Sequence, residues 1–372
     1  MLNVLSIVPY NFLPSKMGGQ KCIAFGNKFL SQYVNLTCVT VANNDVTKAD
    51  YDVLNILSNS QLRYINIFYF FKLKEIIRQK KITHIIIEHP YYGWLGYLIK
   101  KICRVKLIVR SHNIEALRFK SINKWWWKIL WHYEKFVHKN ADMSFFITNF
   151  DNDYAVSNFH LKASQCSVIT YGFDLKAAPS KDEKLISKKC IYKQYNLINN
   201  ETILFFNGTL SYKPNIDALN VILETINPIL LKNSALKYKI IVCGQNLPES
   251  YDNLKSYKVK NIIYAGFVED IATYFKATDI FLNPVIEGGG IKTKIVEALG
   301  NNASLVTTKS GAIGIPINLT ANKMIVVEDN DWQQFTQAIL EVDIHQRIST
   351  SYFDYFYWGN IAKKASMALE LI

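Results

Sequence analysis

With 372 residues, 49% of them apolar and 20% charged, the chain is long enough for two domains with separate cores and too apolar for an intrinsically disordered protein. The formal charge of +13 is lopsided: residues 1–172 hold 22 Lys and Arg against 10 Asp and Glu (+12), and residues 173–372 hold 21 against 20 (+1). A field of that kind draws anions such as acidic lipid head groups, a lipid-linked phosphate or nucleic acid, although lysine spread over a surface without a partner gives the same count. Cys22, Cys38, Cys103, Cys166, Cys190 and Cys243 form no C-x-x-C pair, which predicts idle thiols in a reducing compartment and no metal site. Residues 1–10 lack the charge and length of a signal peptide, and no apolar run reaches the roughly 18 residues of a membrane span. The expectation is a cytosolic protein, soluble or peripheral at the inner face of the membrane.

In chain order, residues 2–8 read as a buried strand, and residues 14–19, ending in Gly18-Gly19, as a loop into a helix that carries Ile23, Phe29 and Leu30. GGQK matches neither G-x-G-x-x-G nor G-x-x-x-x-G-K-[ST]. Strands at 35–41, 82–87 and 105–109 alternate with helical stretches, the pattern of a parallel sheet covered on both faces, and ligands gather at the carboxyl ends of such strands. Arg110, Ser111, His112 and Asn113 fall at such an end. His112 is a candidate neutral partner for a substrate hydroxyl, with a histidine satisfied by nearby backbone as the plain alternative.

Trp125, Trp126, Trp127 and Trp131 interleave with Lys124 and Lys128, and the aromatic run 64–71 precedes Lys72 and Lys74. Basic-aromatic stretches suit a membrane interface, and aromatic packing is the commoner explanation. The D-N-D triplets at 151–153 and 329–331 each precede an expected helix and read as caps, not metal ligands. Residues 168–174 end a strand, and the polar, lysine-rich stretch to about 200 is the expected domain boundary.

In the second half, a strand at 202–206 leads into NGTLSYKPNIDAL, where Pro214 and Asn215 open a helix; the strand 238–243 ends at Gly244, and Gly266 ends another. Residues 279–283 form a short apolar strand that runs into PVIEGGGIKTKIVEALG. Gly288, Gly289 and Gly290 leave an anion free to approach the amides of the next helix. Ile291, Ile295, Ala298 and Leu299 form its apolar stripe, with Lys294 and Glu297 off it. Thr307, Thr308 and Gly311 follow one further strand, and 324–327 is the last. Amides and Lys294 suit a diphosphate, and Glu297 a ribose diol, while an ordinary βα turn with a solvated Lys–Glu pair is the alternative.

GGGIKTKIVEALG, NGTLSYKPNIDAL and RSHNIEALRFK with WHYEKFVHKNAD resemble the retaining glycosyltransferases of family four, in the branch with a GGGTRLKILEAL-like donor segment. That resemblance covers nearly the whole chain. It implies a GT-B fold, two Rossmann-like doubly wound parallel-sheet domains facing across a cleft. By alignment with those motifs, Glu297 would bind the donor ribose, Lys292 and Lys294 form the basic pair, His112 lie beside the donor sugar, and Phe267 and Val268 hold the base. Gly18 and Gly19 match the glycine loop that touches donor phosphate or acceptor. Two positions depart from the pattern. Gly289 stands where many members have a second glutamate, with Glu287 two residues earlier as the candidate substitute. Thr209 stands at the usual arginine, leaving Lys213 as a shifted candidate.

The expected organisation is therefore a first domain over 1–172, a linker region over 173–200, a nucleotide-sugar domain over 201–351, and a terminal helix, 352–372, packed back on the first with Trp358 as anchor. His112, Lys294 and Glu287 are the catalytic candidates. Asn207, Gly208, Lys213, Gly244, Gly266, Phe267, Val268, Gly288, Gly289, Gly290, Ile291, Lys292 and Glu297 join Gly18 and Gly19 as donor-binding candidates, and Arg110 and Asn113 lie on the acceptor side. No metal or other cofactor is expected; the partners are a nucleotide-sugar donor, a glycan or lipid-linked acceptor and an anionic membrane surface, without nucleic acid. A nucleotide-binding protein without turnover and a nucleotide-sugar epimerase on the same fold are the competing readings.

Overall fold

The computed structural model describes residues 1–15, 17–233 and 236–372; Lys16 of the expected glycine loop lies outside them. By contacts the chain forms two units, Met1–Asp174 with Gly289–Ile291 and Tyr355–Ile372, and Leu175–Gly288 with Lys292–Asp354.

The first unit is a parallel sheet of seven strands: β1 (Asn3–Ile7), β2 (Asn35–Val41), β3 (Asp52–Leu57), β4 (His84–Glu88), β5 (Lys106–Ser111), β6 (Met143–Phe146) and β7 (Cys166–Val168). Their order is β3-β2-β1-β4-β5-β6-β7. The chain reverses direction of growth between β1 and β4, the switch point where ligands collect in such sheets. The helices are α1 (Gly18–Leu30), α2 (Phe68–Gln79), α3 (Gly93–Cys103), α4 (Glu115–Ser121), α5 (Trp127–Asn140) and α6 (Asn149–Asn158). Leu73, Ile76 and Ile77 of α2, Leu95 and Ile99 of α3 and Val137 of α5 share one core with Ile85, Ile87, Leu107 and Val109. These three helices therefore cover the same face of the sheet.

The second unit opens with α7 (Lys181–Tyr195), so the polar stretch before residue 200 is ordered helix. Ser180 and Glu183 cap each other's backbone, Lys188 pairs with Asp279 at 2.7 Å, and Lys184 donates to the carbonyls of Thr278, Asn301 and Asn302. Its lysines are ligands for helix ends and strand ends, which is why composition alone resembles a linker.

The sheet of this unit contains β8 (Thr202–Asn207), β9 (Tyr238–Cys243), β10 (Ile262–Gly266), β11 (Ile280–Asn283), β12 (Ser304–Thr308) and β13 (Met324–Val327) in the parallel order β10-β9-β8-β11-β12-β13. Both units are thus Rossmann-like. Around it pack α8 (Lys213–Val221), continued by a π-turn and α9 (Asn227–Leu230), then α10 (Ile271–Ala277), α11 (Thr293–Gly300) and α12 (Trp332–Glu341). Thr307 and Thr308 lie on β12 itself, not after it. Asp331 caps α12 through the amide of Gln334, whereas Asp151 sits inside the first turn of α6, where Thr148 is the cap.

The chain ends with α13 (Thr350–Phe356) and α14 (Trp358–Glu370). Trp358 is 1% exposed, with its ring 5.6 Å from that of Tyr171 within the first unit, and the Phe173 amide donates to the Phe356 carbonyl at 2.9 Å. Replacing Trp358 by Ala should destabilise the first unit by about 3–5 kcal/mol, since a buried indole leaves both lost transfer energy and a cavity. Thermal unfolding that leaves the variant within a degree or so of wild type would contradict this role.

Candidate functional site

In the first unit the site begins with register. Glu88 and Arg110 are paired residues at the carboxyl ends of β4 and β5, so their side chains meet on one face of the sheet. The Arg110 guanidinium donates to Glu88 Oε1 at 3.2 Å, and His112 Nε2 lies 2.7 Å from Glu88 Oε2. Arg110, expected to face an acceptor, is instead buried, with its two Nη groups donating to Glu88 and to the Cys22 carbonyl. Burial pushes the Arg110 environment against charge, but the adjacent carboxylate more than compensates and raises its pKa. Although burial alone raises Glu88, Arg110 and His112 together hold its carboxyl down at about 2.

His112 follows β5 and is nearly buried. Burial, then the neighbouring His89 ring, lowers its pKa to about 4, so the ring is neutral near pH 7. A carboxylate at Nε2 selects the tautomer with the proton there and leaves Nδ1 as an acceptor. His89 stacks on His112 with ring centres 4.2 Å apart and accepts or donates at Nε2 to the Tyr10 hydroxyl, 2.9 Å away. Its Nδ1 lies 3.3 Å from Glu115, which Arg118 grips through Nε at 2.9 Å. His89 has φ of +64°, a torsion that costs energy outside glycine and holds the ring over the site. Asn113 Oδ1 is buried and has no hydrogen-bond partner among the described residues.

Gly290, with φ of +69°, belongs to the first unit by its contacts. A Cβ there would come within 3.1 Å of the His112 carbonyl. Ile291 precedes α11 instead of standing in its stripe, which consists of Ile295, Val296, Ala298 and Leu299. Gly18 and Gly19 are the first residues of α1, whose entry is fixed by the Met17 amide donating to Gln20 Oε1 at 3.0 Å.

In the second unit, Lys294 on α11 turns inward. Its ammonium donates to the Asn207 carbonyl at 3.0 Å and to Asn215 Oδ1 at 3.1 Å, and lies 4.7 Å from the centre of the Phe206 ring. Burial, followed by repulsion from Lys292, lowers its pKa to about 7. The residue is only partly exposed, and its ammonium is enclosed by these partners, so the cation is poorly solvated. Lys292 donates to the Gly288 carbonyl at 2.8 Å, and Gly288, at φ of +90°, allows the turn that brings it there. Asn207 Oδ1 is buried without a partner among the described residues. Glu297 is half-buried on α11, and Phe267 (64% exposed) and the half-buried Val268 follow β10.

Two candidates have packing reasons of their own. A Cβ on Gly244 would lie 2.1 Å from the Gly208 carbonyl, and one on Gly208 would meet the Asn215 side chain at 2.7 Å, so both residues let strand ends close in. Gly266 has φ of +66° with open space above it. Lys213 is engaged by Asp217 at 2.5 Å and Glu287 at 3.2 Å, a mostly exposed trio in which neither Lys213 nor Glu287 stands alone. Among the described residues no group of three His, Cys, Asp or Glu is placed to hold a metal ion.

Glu88, His89, Tyr10, Glu115 and Arg118 were absent from the sequence reading. The signal available was the polar pair Glu88-His89 closing an otherwise apolar strand, before Pro90. β4 runs one residue past the apolar stretch, so Glu88 belongs to the strand and turns inward although its residue type reads as a boundary.

Residues 28–177 match the family model Glycosyltransferase Family 4, and residues 201–342 match Glycosyl transferases group 1. A curated relative, an uncharacterised 44.6 kDa protein in the cps region of Klebsiella pneumoniae, is 24% identical over 273 residues; the match covers 69% of this chain and 65% of that protein's length. Similar solved structures include a sucrose-phosphate synthase from Thermosynechococcus elongatus (TM-score 0.75, 14% identity, 99% of this chain and 98% of the other). A glycosyltransferase from Rickettsia africae (TM-score 0.72, 17% identity, 100% and 98%) and HepE from Anabaena in complex with UDP (0.71, 14%, 100% and 100%) are also similar. At these identities the structures establish the shared GT-B fold.

Replacing Glu88 by Gln strands the buried Arg110 charge and should destabilise the protein by about 3–5 kcal/mol at neutral pH. The sign with pH follows from a folded pKa of about 2 against an ordinary 4.5: the carboxylate contribution is complete above 4.5 and disappears as pH falls toward 2. Unfolding curves of wild type and variant should therefore stay apart near neutrality and converge in acid. Curves equally far apart at pH 3 would show that the charge on Glu88 is irrelevant.

Proposed function

We propose that this chain, a glycosyltransferase of the GT-B fold related to the Family 4 and group 1 enzymes, moves a sugar from a nucleotide-diphosphate donor to a hydroxyl of a growing glycan or lipid-linked acceptor. Retention at the anomeric carbon and independence of metal are parts of the same reading, carried by resemblance. The observation that supports it most is Lys294: a poorly solvated cation in the first turn of α11, held against the end of β8. HepE from Anabaena is also similar in complex with UDP-glucose (TM-score 0.62, 15% identity), which supports a nucleotide-sugar donor, and the catalytic domain of Starch Synthase IV from Arabidopsis thaliana bound to ADP and acarbose (TM-score 0.70, 12% identity) supports a glycan acceptor.

In this reading Lys294, Lys292 and the first amides of α11 take the donor diphosphate, Glu297 the ribose and the loop at Phe267 and Val268 the base. The chemical demand is to stabilise a departing diphosphate while the sugar gains oxocarbenium character, and fixed donors in a partly dry site meet it without reorganising. His112, neutral and with Nδ1 free of its proton, suits a hydrogen bond from a donor-sugar hydroxyl, and Glu88 keeps the ring in that tautomer. Asn113 offers a second, unsatisfied oxygen. The departing phosphate oxygen itself accepts the acceptor proton, so no separate side-chain base is required. Glu287, tied to Lys213, is the candidate for the missing second glutamate.

A nucleotide-binding protein without turnover is favoured by two observations, Gly289 at the glutamate position and Thr209 at the arginine position. Release of free nucleotide from a donor sugar separates the readings, because a pure binder releases none. The choice of donor is a thermal-shift screen against UDP, GDP, ADP and their sugar conjugates; a site-specific ligand raises the transition by mass action.

For the nucleotide so identified, Lys294→Ala should weaken diphosphate binding by roughly ten- to a hundredfold, the range of a charge-assisted hydrogen bond, while the free nucleoside binds nearly as before. Titration calorimetry of both ligands checks it. Equal losses for the two would mean that Lys294 serves structure alone.

A further inference from the structure

The segment that enters α2 is apolar on both sides. Tyr69, Phe70, Leu73, Ile76 and Ile77 face the core, yet Leu62 (69% exposed), Ile65 (74%), Ile67 (46%), Phe68 (70%) and Phe71 (63%) stand in solvent. Isolated exposed apolar residues are ordinary, but five large ones within ten residues are a patch. The core does not require them, because the inner face of α2 is already complete. Residues 59–81 also contain six Lys and Arg against the single carboxylate of Glu75. Lys72, Lys74 and Arg78 are exposed beside the patch.

This surface is connected to the site of the first unit by aromatic contacts. Trp94 Nε1 donates to the Tyr64 carbonyl at 2.8 Å, and the Tyr64 ring is 5.7 Å from Tyr91. Tyr91 stacks on His89 at 5.5 Å, and His89 on His112 at 4.2 Å. Patch and site therefore share the carboxyl-end edge of the sheet.

We propose that this patch is where the protein rests on a bilayer bearing anionic head groups. Leu62, Ile65, Phe68 and Phe71 would enter the boundary between head groups and acyl chains, and Lys72 and Lys74 would meet lipid phosphates. The chemistry of the surface argues for this occupant: apolar tips with a mostly basic rim, in which Glu75 is the single acid, match a plane that is apolar inside and anionic outside. Docking in this way does not depend on sugar transfer. If the transfer reading also holds, a lipid-borne hydroxyl is delivered at the edge that carries His112.

The test is co-sedimentation of the full chain with phosphatidylcholine vesicles, with and without phosphatidylglycerol, at low and high salt. The expected result is binding to the anionic vesicles only, weakened by salt. The double variant Phe68→Ser, Phe71→Ser should lower partitioning at least about tenfold, given the transfer energy of two phenyl groups. Lys72→Glu with Lys74→Glu should remove the preference for phosphatidylglycerol. Unchanged circular dichroism and thermal transitions confirm that each variant is folded. No binding of wild type, equal binding after Phe68→Ser, Phe71→Ser, or loss caused by Trp125→Ser in its place would overturn the proposal. Capture by immobilised polyglutamate without vesicle binding would overturn it in favour of an acidic protein partner. Nucleotide thermal shifts on the same samples report separately on the donor site.

Discussion

The first unit depends on one carboxylate. Glu88 is fully enclosed, and a charge in such a place is tolerable only when other groups replace the water it has lost. Arg110 does so from the neighbouring strand and His112 from the turn beyond it. Removing water makes each of these contacts stronger and also makes the arrangement intolerant of a missing member. His89, Glu115, Arg118 and Tyr10 extend the same logic outward, each of these four set by contact with another, while Asn113 Oδ1 is left without a partner among the described residues. The site is consequently a set of mutually dependent orientations and not a set of separately placed residues.

The second unit solves a related problem with a cation. Lys294 is not balanced by any acid in contact with its ammonium among the bonds described; it is held by a backbone carbonyl, an amide oxygen and the face of Phe206. Those partners orient the charge without neutralising it. Close approach of strand ends at Gly208 and Gly244 lets Asn207 and Asn215 reach the same point. The glycines near this site thus divide into those that allow the backbone to pack and those, such as Gly288, that allow it to turn.

Much of the architecture was legible in the chain because buried parallel strands are written as compact apolar runs; residues 238–243 and 324–327 were bounded as they occur. The strands β3 and β6 were not. DVLNIL lies at an edge with only Leu57 buried, and MSFF has only four residues, so neither carries a decisive period. The helix α7 was hidden in a lysine-rich stretch because its lysines find carbonyl and carboxylate partners far away in sequence. Of the candidate positions, His112 after β5 and Lys294 on α11 could be picked out from the sequence, whereas the side chains that hold each of them could not. Whether Arg110 faces solvent or Glu88 is decided by strand register across 22 positions, which spacing along one strand does not contain.

Lys294 has a further consequence. With its pKa lowered to about 7 by burial and by Lys292, the Lys294 amine is only partly protonated near neutral pH. A phosphate placed against it would favour the protonated form, so in the proposed reaction ligand capture would draw a proton from the buffer. Release of that ligand would return it. The second unit would then count protons as well as nucleotides, and the acidity of its surroundings would enter the affinity as a co-ligand.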